Sequence, residues 1–330
     1  MTDERPTVAL RRLIDGFKIS QALHVAATLR IADHLADGPR TSDELAESTQ
    51  AHPGALRRLL GALASVGVMR AHEGDRFGLT EIGDGLRSDA DEPLGAWARF
   101  SGADPTWQTW GALLHSVRTG ESAFAHVHGQ PAWEYRVSHP EAAARFDDAM
   151  TDLSRRTNRD VLEAYDFGGF GTVVDVGGGH GALLAAILVR HPGVRGVLFD
   201  LPHVARAPED PALRDRLTVV TGSFFDAVPR GGDAYLLKAI LHDWDDEDAV
   251  RILRRVREAM DGAGAVLVVE RDLGGADPET HVSDLNMLVS LGGRERSVEE
   301  YAALMERAGL RFVAATPARY GLHVIEGRPD

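Results

Sequence analysis

The sequence predicts an α/β protein with a mostly parallel, doubly wound sheet and a mostly helical N-terminal part. From residue 172 onward, short apolar segments rich in β-branched residues alternate with helical segments, as in such a sheet. The last two strand-like segments, residues 311–315 and 323–326, have no helix between them. They are therefore expected to form an antiparallel pair beside the parallel strands. Two helices and a β-hairpin are predicted before residue 90.

Length and composition restrict the class of protein. The 330 residues are enough for two domains, and an apolar share of 44% with a charged share of 26% is ordinary for a soluble globular chain. The absence of cysteine excludes disulfides and thiolate chemistry. The net charge of −14 disfavours nucleic acid and membrane partners. No apolar run approaches the ~20 residues of a membrane span, and no signal peptide is evident, so we expect a cytoplasmic protein.

The first 35 residues carry apolar side chains at helical spacing. Leu10, Leu13, Ile14 and Phe17 begin this pattern, which continues to Ile31. One small domain does not need so much apolar surface. The pattern therefore indicates either a helix-mediated homodimer interface or a helix in the core of the domain.

Helix, helix and hairpin follow in the order of a winged helix-turn-helix. Thr41 and Glu44 have the spacing of a capping box, a second helix is predicted over residues 55–66, and a hairpin over residues 68–79. DNA binding is the obvious function of this motif. Residues 1–90, however, hold 11 basic and 13 acidic side chains, with no basic stripe for a nucleic acid. A scaffold or dimerisation role is therefore favoured.

Residues 91–165 are expected to be helical, with aromatic insertions. Residues 141–165 form one long predicted helix, and the spacing of four places Phe146, Met150 and Ser154 on one face of it. This face indicates either core packing or one wall of a pocket for a flat aromatic ligand.

A glycine-rich turn follows the first predicted strand of the sheet, residues 172–176. Gly177 and Gly179 lie between this strand and an apolar helix, where a doubly wound sheet binds its ligands. A second predicted strand, residues 194–199, leads to Asp200, whose carboxylate can accept both hydroxyls of a ribose. The pattern therefore predicts a nucleoside-containing cofactor, with a structural turn that binds nothing as the alternative.

Two features of the turn distinguish between cofactors. A dinucleotide site has the form G-x-G-x-x-G, but the position of the third glycine is Ala182 here. Asp175 precedes the first glycine by two positions. Its carboxylate would repel a pyrophosphate but would attract the ammonium of a methionine moiety. The sequence therefore favours S-adenosylmethionine (SAM) over a nicotinamide dinucleotide.

The later strands lead to a histidine and two carboxylates. His242 follows the predicted strand 234–238, Glu270 ends the predicted strand 265–269, and Glu295 lies in a loop with two glycines. A histidine with a carboxylate partner is the arrangement of a general base held in one tautomer. Metal binding by His242 and Glu270 together with the neighbouring aspartate at position 243 is the alternative.

Four blocks of the sequence together resemble the caffeate-type SAM-dependent O-methyltransferases, which act on plant phenolics and bacterial aromatic natural products. They are the glycine segment at residues 173–181 and the segments FDLP at 199–202, LKAILHDW at 237–244 and GGRER at 292–296. The resemblance covers nearly the whole chain and is strongest to the bacterial branch that modifies polyketide-type aromatics. It implies a Rossmann-like SAM methyltransferase domain, a winged-helix dimerisation domain and a homodimer.

On this basis we divide the chain into three parts. These are a winged-helix-like dimerisation domain over residues 1–95, a helical linker that contributes to the substrate pocket over residues 96–165, and a SAM-binding catalytic domain over residues 166–330. A helix capped by Asp246 is expected within the third part.

The resemblance and the turn pattern together imply roles for individual residues. His242 would be the catalytic base, flanked by Glu270 and Glu295. The residues implied to bind SAM are Ser154, Asp175, Gly177, Gly179, Asp200, Leu201, Ser223, Phe224 and Lys238. The residues implied to bind the substrate are Trp107, Phe146, Met150, Asp243, Asn286, Met287 and, reaching the neighbouring subunit's pocket, Arg11 or Arg12. Ser223 departs from the family pattern, which has an acidic residue at that position.

The implied reaction is methylation of a phenolic hydroxyl, with release of S-adenosylhomocysteine and without a metal. A phenol with a pKa near ~10 is little ionised at neutral pH, so a base is needed. Three alternatives stay open. A SAM-binding relative that supports hydroxylation or decarboxylation is disfavoured by His242, a SAM-sensing winged-helix regulator by the acidic N-terminal segment, and a nicotinamide-dependent dehydrogenase by the missing third glycine.

Overall fold

The computed structural model of the chain comprises two compact units, which are described separately below. The structure describes residues 5–206, 208, 210–260, 262 and 264–330. The first unit contains the described residues up to Gln108 and Arg136–Leu153, and the second contains Thr109–Tyr135 and Ser154–Asp330 apart from the gaps. Residues 1–4, part of the segment that shows no signal-peptide pattern, lie outside the described residues.

The N-terminal elements are short helices around a small antiparallel sheet with the strand order β1–β3–β2. In chain order they are α1 (Pro6–Ile14), α2 (Gly16–Thr28), α3 (Ile31–His34), β1 (Arg40–Thr41), α4 (Ser42–Thr49), α5 (Pro53–Ser65), β2 (Met69–His72), β3 (Arg76–Leu79), α6 (Glu81–Asp84) and α7 (Gly95–Ser101). The predicted order of two helices and a hairpin is present as α4, α5, β2 and β3.

Helix α4 begins with the predicted capping box. The hydroxyl of Thr41 accepts the N–H of Glu44 at 3.2 Å, and the Glu44 carboxylate accepts the N–H of Thr41 at 2.7 Å. Helices α4 and α5 bury Leu45, Leu60 and Leu63 in one hydrophobic core with the hairpin. Amphipathic spacing and end capping therefore both fix this part of the fold.

The segment that follows is helical, as the sequence predicts. Its helices are α8 (Asp104–Gly111), α9 (Leu113–Thr119), α10 (Ala123–His128), α11 (Ala132–Ser138) and α12 (Pro140–Ala164). The long helix α12 is continuous, but the two units share it: Phe146 and Met150 belong to the first unit and Ser154 belongs to the second.

The second unit is built around a mixed sheet that has seven strands in the part of the chain that the structure describes, in the order β6–β5–β4–β7–β8–β10–β9. The elements are β4 (Thr172–Val176), α13 (Ala182–Arg190), β5 (Arg195–Asp200), β6 (Leu217–Thr221), β7 (Ala234–Lys238), α14 (Asp246–Ala259), β8 (Ala265–Arg271), α15 (Pro278–Ser290), α16 (Val298–Arg307), β9 (Leu310–Pro317) and β10 (Leu322–Pro329). Strands β4 to β8 pair in parallel. Strand β10 pairs antiparallel with β8 on one side and with β9 on the other. The predicted α/β fold is confirmed.

The sheet separates two hydrophobic clusters, one on each face. Val174, Leu237 and Val268 contribute to one cluster with α14, while Val173 and Leu236 contribute to the other. Alternate residues of β4, β7 and β8 thus face opposite sides of the sheet, and both sides are covered. Such burial explains why these strands are nearly continuous runs of apolar residues.

One predicted helix cap is wrong. Helix α14 is capped by Asp245, whose carboxylate accepts the N–H of Asp248 at 2.9 Å, and Asp246 is the first residue of the helix. Two adjacent aspartates are equally suitable caps in sequence, and the extended backbone of Asp245 decides between them.

No helix among the described residues is long and apolar enough to span a membrane.

Candidate active site

The turn that follows β7 carries His242. The backbone enters this turn through Ala239, which has a left-handed φ of 54°, uncommon for a residue with a side chain. Glu270 in β8 stabilises the turn, because its Oε1 accepts the N–H groups of Ile240 at 2.9 Å and Leu241 at 2.8 Å. Glu270 therefore fixes the backbone on which His242 stands.

The imidazole of His242 lies among three carboxylates. Its Nδ1 is 3.1 Å from Glu295 Oε1 and 3.2 Å from Glu270 Oε2, and its Nε2 is 3.4 Å from Asp243 Oδ1. The hydroxyl of Ser283 donates to the same Glu295 oxygen at 2.7 Å. In the neutral imidazole, the two carboxylates at Nδ1 favour the tautomer with hydrogen on that nitrogen, which leaves the lone pair on Nε2. The structure thus brings together the three residues that the sequence singled out for catalysis.

Electrostatics in this cluster favour the protonated imidazole. Burial lowers the pKa of His242, but the charges of Glu270, Glu295 and Asp243 outweigh it and raise the pKa to about 10. Burial raises the pKa of Glu270 to about 7 against the opposing charge of His242. Burial also acts to raise the pKa of Glu295, but the charge and hydrogen bond of His242 lower it below its usual range. At neutral pH this balance favours the imidazolium form of His242, with a proton on each ring nitrogen.

The same three side chains could in principle hold a metal ion. His242, Glu270 and Glu295 each offer one ligand atom, and these atoms lie within 4.8 Å of one another. This set contains Glu295 in place of Asp243, which the sequence had suggested as the third ligand. The hydrogen bond of His242 Nδ1 to Glu295 and the ion pair with Glu270 account for the arrangement without a metal.

The glycine turn after β4 leaves open space beside Asp200. Gly177 and Gly179 have left-handed φ values of 72° and 59°. A Cβ on Gly177 would lie 2.4 Å from a side-chain carbon of Ile240, whereas a Cβ on Gly179 would meet nothing within 4 Å. Asp200 accepts the N–H of Gly179 at 2.8 Å and that of Leu201 at 2.6 Å. Each carboxylate oxygen keeps a second lone pair for a ligand hydroxyl.

A carboxyl and an amine lie beneath this turn. Asp175 is buried, and burial raises its pKa to about 7 despite the positive charge of Lys238. Burial lowers the pKa of Lys238 to about 8 against the charges of Asp175 and Glu270. The Lys238 ammonium donates to the Ser154 hydroxyl at 3.4 Å. One acidic and one basic group of this kind match the ammonium and carboxylate of an amino acid moiety.

Aromatic side chains also lie close to the turn. A Cβ on Gly177 would be 3.7 Å from the ring of Phe224, which packs edge-on against Trp244 with ring centroids 6.0 Å apart. Ser223, the departure from the family pattern, accepts the N–H of Phe225 through its hydroxyl at 3.2 Å. These rings provide an apolar surface suited to a flat base.

The residues implied to bind substrate are divided between the two units. Trp107, Phe146, Met150 and Arg11 belong to the first, and Asp243, Asn286 and Met287 belong to the second. In the first unit the Phe146 ring contacts the Arg136 guanidinium, with 3.6 Å from the guanidinium carbon to the ring centroid. The Arg11 side chain is 84% exposed and pairs loosely with Asp15 at 3.7 Å.

Comparison with known proteins identifies the family. The family model for the O-methyltransferase domain matches residues 110–311, and that for the O-methyltransferase dimerisation domain matches residues 11–88. The chain belongs to this O-methyltransferase family. It is a SAM-dependent O-methyltransferase, and enzymes of the family need no metal. The resemblance inferred from the four sequence blocks is confirmed.

Relatives of this methyltransferase modify natural products. It is 40% identical to a mitomycin biosynthesis 6-O-methyltransferase of Streptomyces lavendulae over 99% of this chain and 98% of the relative. An O-methyltransferase from neocarzinostatin biosynthesis, solved with SAM and 2-hydroxy-5-methyl naphthoic acid, is 39% identical with a TM-score of 0.81 over 94% of this chain and 96% of its own. Aclacinomycin 10-hydroxylase RdmB of Streptomyces purpurascens is 38% identical over 95% of this chain and 86% of the relative.

Sequence reasoning about the methyltransferase missed several residues that complete the site. Trp244 lies two positions after His242 and packs against Phe224, a contact that its sequence position does not signal. Ser283 supports Glu295 from α15, and nothing in its local sequence signals this. Arg296 adjoins Glu295 in the glycine loop and is fully buried. Buried arginines are rare, and nothing in the local sequence signals this burial.

Proposed function

We propose that this methyltransferase methylates a phenolic hydroxyl of an aromatic natural-product intermediate, with His242 as the general base. The observation that carries the proposal is the hydrogen bond of His242 Nδ1 to the buried Glu295 at 3.1 Å, with a second buried carboxylate, Glu270, 3.2 Å from the same nitrogen. A base held in this way presents Nε2 to a substrate hydroxyl in a fixed direction.

The residues of the chain would hold the cofactor in three places. Asp175 and Lys238 suit the charged ends of its methionine moiety, Asp200 suits the ribose hydroxyls, and Phe224 suits the adenine. The open space at Gly179 and the paired acid and amine fit such a ligand. When bound, SAM supplies a methyl group activated by a positively charged sulfur.

The groups around His242 determine where the proton of the phenolic hydroxyl goes. In its neutral form His242 accepts the proton of the phenolic hydroxyl on Nε2, and the oxygen becomes a stronger nucleophile. The imidazolium that results is stabilised by Glu270 and Glu295 at Nδ1. Positioning of the two reactants should contribute most of the rate enhancement.

The substrate class rests on the relatives. Those named above act in mitomycin and neocarzinostatin biosynthesis, and one is solved with a naphthoic acid. We infer a homodimer joined through the N-terminal helices, in which Arg11 or Arg12 reaches the pocket of the neighbouring subunit. The dimerisation domain at residues 11–88 and the exposed apolar side chains of α1 support this arrangement.

The proposal is tested with methyl-labelled SAM and a panel of naphthoates, quinones, aromatic polyketides and simple phenols. Label should appear on a phenolic oxygen of at least one compound, and the His242→Gln variant should lose this transfer. A wild-type enzyme that binds SAM and converts substrate without transferring label would instead support hydroxylation, the second candidate, which the relative RdmB favours.

A further inference from the structure

A buried arginine adjoins the catalytic turn of the second unit. The side chain of Arg296 is only 1% exposed. Its Nη1 donates to the carbonyl oxygen of Leu241 at 3.0 Å, and its Nη2 donates to that of Trp244 at 2.8 Å. These two carbonyls lie on either side of His242, so one guanidinium binds both ends of the turn that carries the base.

The orientation of this guanidinium is fixed by an ion pair. Arg296 Nε and Nη2 donate to the same Asp246 oxygen at 2.9 and 2.8 Å. Asp246 is the first residue of α14, the helix that follows the catalytic turn. The turn is thereby tied to the beginning of a helix whose apolar face is buried in the core.

The backbone of the glycine loop is joined to the same turn. The N–H of Arg294 donates to the carbonyl oxygen of His242 at 2.9 Å. A Cβ on Gly293 would lie 2.1 Å from that oxygen and 2.6 Å from the carbonyl carbon of Asp243, so only glycine permits this approach. Glu295, the partner of His242 Nδ1, therefore lies between two residues that bind the turn, Arg294 through its N–H and Arg296 through its guanidinium.

We propose that Arg296 is a positioning residue, which holds the His242 turn and the Glu295 loop in the register that the hydrogen bond between their side chains requires. The inference rests on the proposed role of His242 as the base. Arginine suits the task because its planar guanidinium points several donors in fixed directions, whereas a lysine ammonium cannot reproduce that fork. Arg296 does not itself touch the reacting atoms.

The test compares Arg296→Lys and Arg296→Gln with the wild type. Turnover on the plateau above the acidic limb should fall by about 10- to 100-fold, more for glutamine than for lysine, because small misplacements of catalytic groups are costly. The affinity for S-adenosylhomocysteine, measured by calorimetry, should change less than threefold, about 0.7 kcal/mol. Arg307→Gln is the matched control. Arg307, an exposed residue at the end of α16, pairs with Glu247, which follows Asp246 in α14.

The pH dependence of turnover separates positioning from simple loss of folded protein. Looser contact between His242 and Glu295 removes part of the charge that raises the His242 pKa, so the acidic limb should move to lower pH in Arg296→Lys. A smaller active fraction would lower turnover without moving this limb.

Three results would overturn the proposal: unchanged turnover, a loss with an unmoved acidic limb, or an equal loss in Arg307→Gln. If Arg296→Gln does not fold, Arg296→Lys alone decides, since it keeps a positive charge beside Asp246. Should His242→Gln retain normal turnover, the proposed function fails first, and that result is independent of any Arg296 variant.

Discussion

His242 has two properties that conflict at neutral pH. It is held in the geometry of a base, yet the carboxylates that hold it also stabilise its protonated form. The enzyme must therefore release this proton before the imidazole can accept one from a substrate. The same carboxylates then stabilise the imidazolium that the reaction produces. They therefore oppose the initial loss of a proton from His242 but favour its uptake of the substrate proton.

Replacement of His242 by glutamine should lower methyl transfer by roughly 10²–10⁴-fold, because general-base assistance is lost. Affinity for S-adenosylhomocysteine should be nearly unchanged, since the cofactor residues lie elsewhere. Steady-state kinetics and calorimetry provide the two measurements. His281→Gln, an exposed histidine of α15 in the same unit, is the control and should behave like the wild type. Near-normal turnover in His242→Gln would exclude the histidine as the base.

The raised pKa of His242 predicts a pH-dependent contribution to stability. A group whose pKa is higher in the folded state stabilises the fold fully below its unfolded pKa, near 6.5, and loses that contribution as pH rises through the folded value of about 10. The difference in melting temperature between the wild type and His242→Gln should therefore shrink from pH 6.5 to pH 10. A constant difference over this range would show that the imidazole carries no extra charge in the folded protein.

Asp200→Asn should weaken SAM binding by about 2 kcal/mol, or about 30-fold, because charged acceptors make the stronger hydrogen bonds. The glycine turn should also be loosened, since Asp200 accepts the N–H of Gly179. Calorimetry measures the affinity, with the exposed Asp215→Asn as control. Equal affinities for the two variants would remove Asp200 from the cofactor site.

At the scale of secondary structure elements, most of the catalytic unit could be predicted. Alternation of apolar strands and helices identified the parallel sheet, and the missing helix between β9 and β10 identified its antiparallel edge. Because carboxyl ends of parallel strands meet at one edge, Asp175, Asp200 and Glu270 could be assigned to one site in advance. Strand periodicity is a short-range property, which is why it suffices for this level of structure.

Contacts between distant segments could not be predicted in the same way. The bonds from Arg296 to Leu241 and Trp244, and from Ser283 to Glu295, depend on how loops pack and not on any local pattern. The choice of Asp245 over its neighbour as a helix cap likewise depends on backbone angles that two adjacent aspartates do not reveal.

The glycine turn offers a paired test at this scale. Gly177→Ala should lower the melting temperature more than Gly179→Ala, because both cost roughly 1–2 kcal/mol of backbone strain but only the first places a Cβ 2.4 Å from Ile240. Gly179→Ala should nevertheless reduce SAM affinity, since its Cβ enters the open space assigned to the cofactor. Thermal unfolding and calorimetry give the two readouts. Wild-type SAM affinity in Gly179→Ala would show that the cofactor does not occupy this space.

At the scale of the whole molecule, several apolar residues of the N-terminal helices are exposed in the part of the chain that the structure describes. Leu13 is 75% exposed and Ile14 is 64% exposed, although both lie on a helix with strong amphipathic spacing. The match to the dimerisation domain begins at residue 11, which supports our proposal that a second copy of the chain covers this surface. A permanent two-fold interface would remove more than ~2,000 Å² from water.

Light scattering should therefore give about twice the chain mass of 35.7 kDa. The double variant Leu13→Glu, Ile14→Glu should be monomeric at micromolar concentration, because four charges would be buried in each dimer. Ile82→Glu changes a residue of the same unit that is 68% exposed, and it should stay dimeric. A monomeric wild type, or equal masses for the two variants, would contradict the assignment of the interface.

The position of β10 between β8 and β9 has a consequence for how the enzyme is made. On the ribosome, β8 emerges with Glu270 well before β10, so one side of this apolar strand has no hydrogen-bonding neighbour during that interval. An uncovered strand of this kind readily pairs with other nascent chains. Slow translation between Glu295 and β10 should therefore lower the yield of active enzyme, even though every catalytic residue has by then been synthesised.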